Sequence, residues 1–358
     1  MQDALRFGLV LMVSLAACAP PGVGDKVGVV GTSGRGAPKP HPTPRRRPTV
    51  TPTPLGTVVF GGIGAAGLLG DGWRLRARRW HRLPSEGAPS PRTGHVAAWT
   101  GNRYCVWGGE DRASLRADGA CWTPGAPRWI AMPMARAPAP RRDATALVVG
   151  DDWWIFGGVD GAGAIAGGAR FVVESARWEP APNLPAMGVD VGRVAVAPGA
   201  SEVLLGVPRE LDSCDWELWS FGSEPAVARG DVATQGPCGV RGAAFDGGLL
   251  RLGDDGDDVF SWSSRTWLRA GPGVLRGRWG EAVAEVPEGL VLWAGRDAQG
   301  VRADGWRFDA RTLTFEALPS AGADLARFDA VPITDGSGAL LLWGADDDGL
   351  RDDAATLR

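Results

Sequence analysis

Residues 58–62 read VVFGG, residues 105–109 read CVWGG and residues 154–158 read WIFGG. Each stretch is a short apolar run that ends in two glycines. Looser copies read LLG at 204–206, LRLG at 250–253, LWAG at 292–295 and LLWG at 341–344. The seven copies recur about every 42 to 50 residues. A period of this length indicates an array of similar structural units.

Other residues recur in step with the glycines. An acidic and an aromatic residue follow each loop, as in Asp71-Gly72-Trp73 and Asp304-Gly305-Trp306. A later aromatic residue, often followed by proline, ends the unit, and the next unit opens with an arginine. The chain contains 54 Gly, 28 Pro and 17 Trp. This pattern predicts an all-β chain with four short strands per unit: after the arginine, at the glycines, after the acidic residue and at the last aromatic residue.

The pattern resembles the kelch repeat, in which one unit forms one blade of a β-propeller. The resemblance covers residues 56–358 and implies a seven-bladed kelch-type β-propeller with blades of up to four antiparallel strands. The first unit lacks a clear first strand, and the last unit ends at its third. Either both end blades have three strands, or residues 49–54 supply a strand, against which Pro52 and Pro54 argue.

The N-terminal region predicts export and anchoring. Residues 7–17 form an apolar run, FGLVLMVSLAA, which has the length of a signal-peptide core. Leu15-Ala16-Ala17-Cys18 resembles the lipobox of bacterial lipoproteins, which implies cleavage before Cys18, its lipidation and a place on the outer membrane of a Gram-negative cell envelope. An ordinary secretory signal is the alternative. We therefore predict a signal peptide at 1–17, a Pro/Gly-rich flexible tether at 18–55 and a propeller at 56–358.

Four further cysteines allow three pairings. Proximity and predicted strand position favour disulfides between Cys105 and Cys121 and between Cys214 and Cys238, and free buried thiols are the alternative. Paired cysteines fit an oxidising compartment.

Metal chemistry and nucleic-acid binding find no support in the sequence. The net charge of −3 provides no basic footprint for nucleic acid. Galactose oxidase, a kelch-like enzyme, holds copper with tyrosines and histidines, whereas this chain has one tyrosine and three histidines. We expect no metal, no cofactor and no catalytic residue. The acidic turn around Asp346 and Asp348 faintly resembles a calcium loop, but a solvated turn is favoured.

Arginines that precede the first strands are the candidate ligand-binding residues: Arg92, Arg141, Arg241, Arg278 and Arg327. They are placed to ring one mouth of the propeller and to bind an anionic ligand. The alternative is that they belong to the repeat and bond neighbouring backbone carbonyls.

The function predicted from the sequence is a monomeric, membrane-anchored, non-enzymatic scaffold. It binds an unidentified protein or glycan of the cell envelope through the face that carries the second-to-third and fourth-to-first strand loops. The alternative is a carbohydrate-active enzyme, similar to a sugar-acid isomerase, that uses arginine and carboxylate side chains at the channel mouth.

Overall fold

The computed structural model describes residues 41–77, 79–165, 167–181, 195–198, 203–208, 216–221, 241–245, 248–253, 256–261, 266–286, 289–318, 326–334, 339–351 and 354–357. All strands that pair in these ranges are antiparallel, and the ranges contain no helix. Among these residues there is accordingly no helix of the length and hydrophobicity needed to cross a membrane.

Seven main sheets follow one another along the described chain. Five sheets have four strands: Thr49–Thr53, Gly56–Phe60, Gly72–Arg76 and Arg79–Arg82 in sheet 1; Val96–Thr100, Arg103–Trp107, Gly119–Trp122 and Ile130–Ala131 in sheet 2; Thr145–Val149, Asp152–Phe156, Gly168–Val172 and Arg177–Pro180 in sheet 3; Arg241–Phe245, Gly248–Gly253, Gly256–Ser261 and Thr266–Gly271 in sheet 5; Ala282–Val286, Gly289–Trp293, Gly305–Asp309 and Thr314–Leu318 in sheet 6.

Two sheets have three described strands: Ala195–Pro198, Val203–Pro208 and Trp216–Phe221 in sheet 4; Val331–Thr334, Ala339–Leu342 and Ala354–Leu357 in sheet 7. Four connections between second and third strands carry a two-stranded ribbon: Ile63–Gly64 with Gly67–Leu68, Val159–Asp160 with Gly163–Ala164, Gly295–Asp297 with Gly300–Arg302, and Ala345–Asp346 with Gly349–Leu350.

Each main sheet is an up-and-down meander, so strand order in space follows strand order in sequence. The predicted all-β class and the predicted four-stranded antiparallel units are confirmed. In sheets 1, 3 and 6 the second strand is the most buried, because it pairs on both sides and packs on both faces. In sheet 3, for example, Trp153 to Phe156 are all buried. This arrangement is compatible with a kelch-like propeller.

The two glycines that end the second strand have different backbone requirements. The first position has a φ of 58° to 70° at Gly61, Gly108 and Gly157, and Ala294 and Trp343 hold nearly the same φ in sheets 6 and 7. In sheets 6 and 7 a side chain is therefore accommodated at this position, whereas a Cβ on Gly61 would lie 2.8 Å from the carbonyl oxygen of Arg92. At the second position φ is larger, and a Cβ on Gly109 or Gly158 would lie 2.5 or 2.7 Å from a backbone oxygen. Gly295 and Gly344 therefore persist where the first glycine is lost.

The core between neighbouring sheets contains large aromatic side chains. Trp107 of sheet 2 contacts Trp178 of sheet 3 at a ring-centroid distance of 5.7 Å, and both are fully buried. Val96, Trp153 and Ile155 belong to the same buried cluster. Neighbouring sheets are thus joined by large interdigitating side chains, which bury far more apolar surface than a single twisted sheet can.

Sheet 1 corrects the predicted boundary between tether and propeller. Residues Thr49–Thr53, assigned to the tether at 18–55, pair along their whole length with Gly56–Phe60 and complete a four-stranded sheet. Pro52 is accommodated because this strand lies at the edge of its sheet and needs hydrogen bonds on one side only. The folded region therefore begins before residue 56, and of the two alternatives for sheet 1 the extra strand is correct.

The first strand of sheet 1 also packs against sheet 7. Val50 and Val59 form one buried cluster with Val331, Ile333 and Trp343. The indole of Trp343 stacks on Trp80, with ring centroids 6.0 Å apart. The two sheets at the ends of the described chain are therefore in direct contact.

We predict that Val50→Asp lowers the free energy of unfolding by about 3 kcal/mol, because it places a carboxylate in the apolar contact between sheets 1 and 7. Chemical denaturation of both proteins measures the difference. Ala65→Asp, on an exposed ribbon turn of sheet 1, is the control and is expected to change stability by less than about 0.5 kcal/mol. Equal stability of Val50→Asp and the wild type would contradict the packing of this strand.

Candidate functional site

A buried arginine lies four residues before the first strand in five of the sheets. We call this set the repeat arginines: Arg45, Arg92, Arg141, Arg278 and Arg327. None is more than 9% exposed. They lie at the end of the sheets where first strands begin and second strands end. We call the surface formed by this end of the sheets the arginine face.

Arg92 shows the contacts that this position makes. Its Nε donates to the carbonyl of Ser90 at 2.9 Å, and its Nη1 donates to the carbonyl of Gly108 at 3.0 Å. Its Nη2 donates to Asp118 Oδ2 at 3.0 Å. One guanidinium thus joins the approach to the first strand, the end of the second strand and the approach to the third.

The other repeat arginines repeat parts of this scheme. The carbonyl that ends the second strand is bonded by Arg45 at Gly61, by Arg141 at Gly157 and by Arg327 at Trp343, over 3.2, 2.8 and 3.1 Å. Arg45 also forms two bonds with Asp71, and Arg278 forms two with Asp304. The Nη1 of Arg278 has no hydrogen-bond partner among the described residues.

The carboxylate partner of Arg92 is held in its charged form. Partial burial works to raise the pKa of Asp118, but hydrogen bonds from Arg116 and Arg92 and their positive charges outweigh it. The pKa of Asp118 is lowered to about 2. The ion pair therefore persists throughout the neutral and mildly acidic range.

These contacts favour the structural interpretation of the predicted arginine set. Arg92, Arg141, Arg278 and Arg327 lie on the arginine face, and the hydrogen bonds described above go to their own sheets. Arg241 is the first residue of a first strand, and so does not occupy the repeat position. Arg45 does occupy it and was missed. It lies in a proline- and arginine-rich stretch that does not look like the start of a repeat unit. Its spacing to Gly61 nevertheless matches that of Arg92 to Gly108.

A second group of charges lies beside the repeat arginines and joins different sheets. We call it the face cluster: Arg46, Arg47, Arg142, Asp143 and Asp329. Asp143 accepts from Arg47 at 2.7 Å and from Arg142 at 2.6 Å. Arg47 belongs to sheet 1 and Asp143 to sheet 3, so this bond passes over sheet 2. The hydrogen bond crosses sheet 2 at Gly94. A Cβ on Gly94 would lie only 3.0 Å from Asp143 Oδ1.

The two aspartates of the face cluster occupy the same repeat position. Asp143 and Asp329 each have a φ of 53°, in the left-handed region that aspartate enters more easily than most residues. Their backbone N–H groups donate to the carbonyls of Gly94 and Gly280 in the preceding sheets, at 2.7 and 2.9 Å. The backbone thus fixes the position of both carboxylates.

Asp329 differs from Asp143 in its environment. Its nearest cationic atom is Arg46 Nη1 at 3.8 Å, which is too long for a good hydrogen bond. Burial raises the pKa of Asp329 above its ordinary value, and the charges of Arg46 and Arg47 only partly offset that effect.

An aromatic corner continues the arginine face through sheets 6 and 7. Trp279 follows Arg278 directly and is 54% exposed. Its ring meets that of Phe328 edge to face, with centroids 5.8 Å apart. The Arg296 guanidinium lies 5.9 Å from the Phe328 ring centroid and pairs with Asp347.

The histidines do not converge. His95 is fully buried between sheets 1 and 2, where its Nε2 bonds with Thr49 Oγ1 at 2.9 Å. Burial and the charge of Arg92 lower its pKa to about 3, so it is neutral at physiological pH. In the described part of the chain no group of three or more His, Cys, Asp or Glu side chains is arranged to hold a metal.

The acidic turn and one cysteine pair have local structural roles. Asp346 Oδ1 accepts from the N–H groups of Asp348 and Gly349, and its other oxygen binds Arg351, so its carboxylate caps a ribbon turn. Cys105 and Cys121 form a disulfide between the second and third strands of sheet 2. Cys18, Cys214 and Cys238 lie outside the described residues.

Comparison with known proteins finds a similarity over part of the chain. Over 84 residues, 22% of its length, the chain is 39% identical to the serine/threonine-protein phosphatase BSL2 of Arabidopsis thaliana. The chain is similar to a kelch-repeat protein. It spans only 8% of the length of that relative, and the match gives no evidence of catalysis in this chain. No family model matches.

We predict that Arg92→Ala lowers the free energy of unfolding by about 3 kcal/mol, because buried carbonyls lose their donor and the partly buried carboxylate of Asp118 loses one of its two arginine partners. Thermal and chemical denaturation measure the loss. Arg112→Ala, an exposed arginine of the same sheet, should leave stability within about 0.5 kcal/mol of the wild type. If both variants lost the same amount, the structural role assigned to Arg92 would be rejected.

Proposed function

We propose that this chain is a lipid-anchored, seven-bladed kelch-type propeller that binds a protein or glycan of the cell envelope through its arginine face and does not act as an enzyme. The proposal combines the sequence pattern, the described sheets and the charges of the face cluster. The partner is unidentified, and the protein acts as a monomer.

Two observations support seven blades closed into a ring. The described residues contain seven main sheets in sequence order. The apolar cluster around Val50 and Trp343 and the ion pair between Arg46 and Asp329 join sheet 1 to sheet 7. In a propeller this contact leaves neither end sheet with an uncovered face. The kelch-repeat similarity agrees with this arrangement.

The observation that carries the binding proposal is that each repeat arginine and the residue after it have different roles. The repeat arginines are buried and bond their own sheets. The residues that follow them differ between sheets: Arg46, Thr93, Arg142, Trp279 and Phe328. Thr93 is buried, and the other four are partly or largely exposed. Folding does not dictate the identity of these residues, and they lie together on one face. This combination is typical of a binding surface.

A matched pair of variants tests the binding face. Full-length wild type is immobilised, incubated with a detergent extract of cell envelopes, and the partner is identified and its dissociation constant measured. Arg142→Ala is expected to weaken binding at least about tenfold, which corresponds to about 1.4 kcal/mol. Asp143 keeps its bond to Arg47 in this variant, so folding is preserved.

Arg103→Ala is the control, because Arg103 begins a second strand and so lies at the opposite end of the sheets. It should bind like the wild type. Recovery of no partner, together with turnover of a sugar acid by the same preparation, would refute the scaffold proposal.

The anchor is tested separately. In the proposal, Cys18 is acylated after cleavage of residues 1–17, and several acyl chains hold the protein at the outer membrane. Cys18→Ser should therefore move the protein from the membrane fraction to the soluble envelope fraction and abolish incorporation of labelled fatty acid. Ser14→Ala, within the same apolar run, should remain membrane-bound. Retention of Cys18→Ser in the membrane would point to an ordinary signal peptide or a different anchor.

One observation favours the alternative function, a carbohydrate-active enzyme. Asp329 is a largely buried carboxylate with a raised pKa, next to Arg46 on the arginine face. Such a pair has the elements of a proton-transfer site for a sugar acid, whose carboxylate would bind the arginine. Turnover of sugar acids by the wild type and its loss in Asp329→Asn, with binding preserved, would establish this function. Equal turnover in both proteins would exclude Asp329 as the acid or base.

A further inference from the structure

Trp279 is placed where the fold does not require an aromatic residue. The fully buried tryptophans, Trp107, Trp153, Trp178 and Trp293, fill the core, whereas Trp279 is 54% exposed. At the same repeat position sheets 1 and 3 carry arginine, sheet 2 carries threonine and sheet 7 carries phenylalanine. Because an exposed indole gains little from burial, packing does not account for the choice of tryptophan here.

The indole is nevertheless held in a defined place. The backbone of Trp279 exchanges two hydrogen bonds with Arg296, each of 3.0 Å. The ring rests against Phe328 of the next sheet, and the neighbouring Gly280 accepts the N–H of Asp329. The Trp279 side chain is thus supported from two sheets, while its indole N–H donates to no group in the described part of the chain. A preorganised aromatic face loses little entropy when a ligand stacks on it.

The polar groups around Trp279 carry both charges. Arg296 and Asp347 pair with each other, and their side chains are 33% and 65% exposed. Arg46 and Asp329 form a second such pair beyond Phe328. A strongly anionic or cationic ligand would meet one repulsive partner at each pair. Sugar hydroxyls, which donate and accept hydrogen bonds, are matched by a neighbouring donor and acceptor.

We propose that Trp279 is the stacking platform of a saccharide-binding site. A neutral pyranose ring lies on the indole, and its hydroxyls bond Arg296 and Asp347. The apolar face of the sugar covers the exposed aromatic surface, as amphipathic rings commonly do at binding sites. This inference rests on the proposed binding function and specifies a glycan, rather than a protein, as the ligand of this corner.

Binding of defined oligosaccharides to the full-length chain tests the site. Linear hexasaccharides of glucose, mannose, N-acetylglucosamine and galacturonate are titrated into wild type and variants by calorimetry. At least one neutral hexasaccharide is expected to bind. Trp279→Ala should weaken that binding at least about tenfold, whereas Trp279→Phe should remain within about threefold, because it keeps an aromatic face. Ile130→Ala, which removes an exposed apolar side chain from the fourth strand of sheet 2, should have no effect.

Each other outcome overturns the inference in a recognisable way. Equal binding by wild type and Trp279→Ala would place the sugar elsewhere. Binding of the galacturonate hexasaccharide alone would show that charge, not stacking, selects the ligand. If no hexasaccharide binds but the envelope extract yields a protein partner that depends on Arg142, the scaffold proposal stands and the saccharide site is rejected. If neither binds, both are rejected.

Discussion

The guanidinium of each repeat arginine holds together parts of a sheet that the backbone ladder leaves apart. A meander of short strands pairs its strands in the middle, but the polar groups where strands begin and end have no ladder partners. Arg92 donates hydrogen bonds to three such places. Its guanidinium is planar, with donors in fixed directions, so little side-chain entropy is lost for each bond formed. This contact fixes the backbone at each repeat arginine, and so it also fixes where the residues that follow the arginine lie on the arginine face.

The second glycine of each repeat has a complementary role. Its backbone runs so close to the carbonyls of the approaching chain that no side chain fits at Gly109 or Gly158. The arginine and this glycine together leave little freedom in the repeat, and they recur even where the rest of the pattern is lost, as at Gly295 and Gly344. The residue directly after the arginine carries no such requirement and differs between sheets.

The strands and the arginine spacing could be predicted from the sequence because both are periodic, local properties. The strand Thr49–Thr53 could be given only as one of two alternatives, since its prolines disfavour pairing unless the strand is known to lie at an edge. The face cluster could not be predicted either. Arg47 and Asp143 are almost a hundred residues apart in sequence, and only the packing of three successive sheets brings them together. Trp279 resembles the other tryptophans in sequence, and only its exposure distinguishes it.

The contact between sheets 1 and 7 has a consequence for how the molecule is made. Val50 and Trp343 are almost three hundred residues apart, so the chain must be nearly complete before they can meet. Closing so long a loop is slow, and it comes after the neighbouring sheets can pair locally. During synthesis Val50 stays exposed until the last sheet has been made. Throughout that interval the growing molecule has an apolar edge that other chains could bind, so late closure is a stage at which aggregation competes with folding.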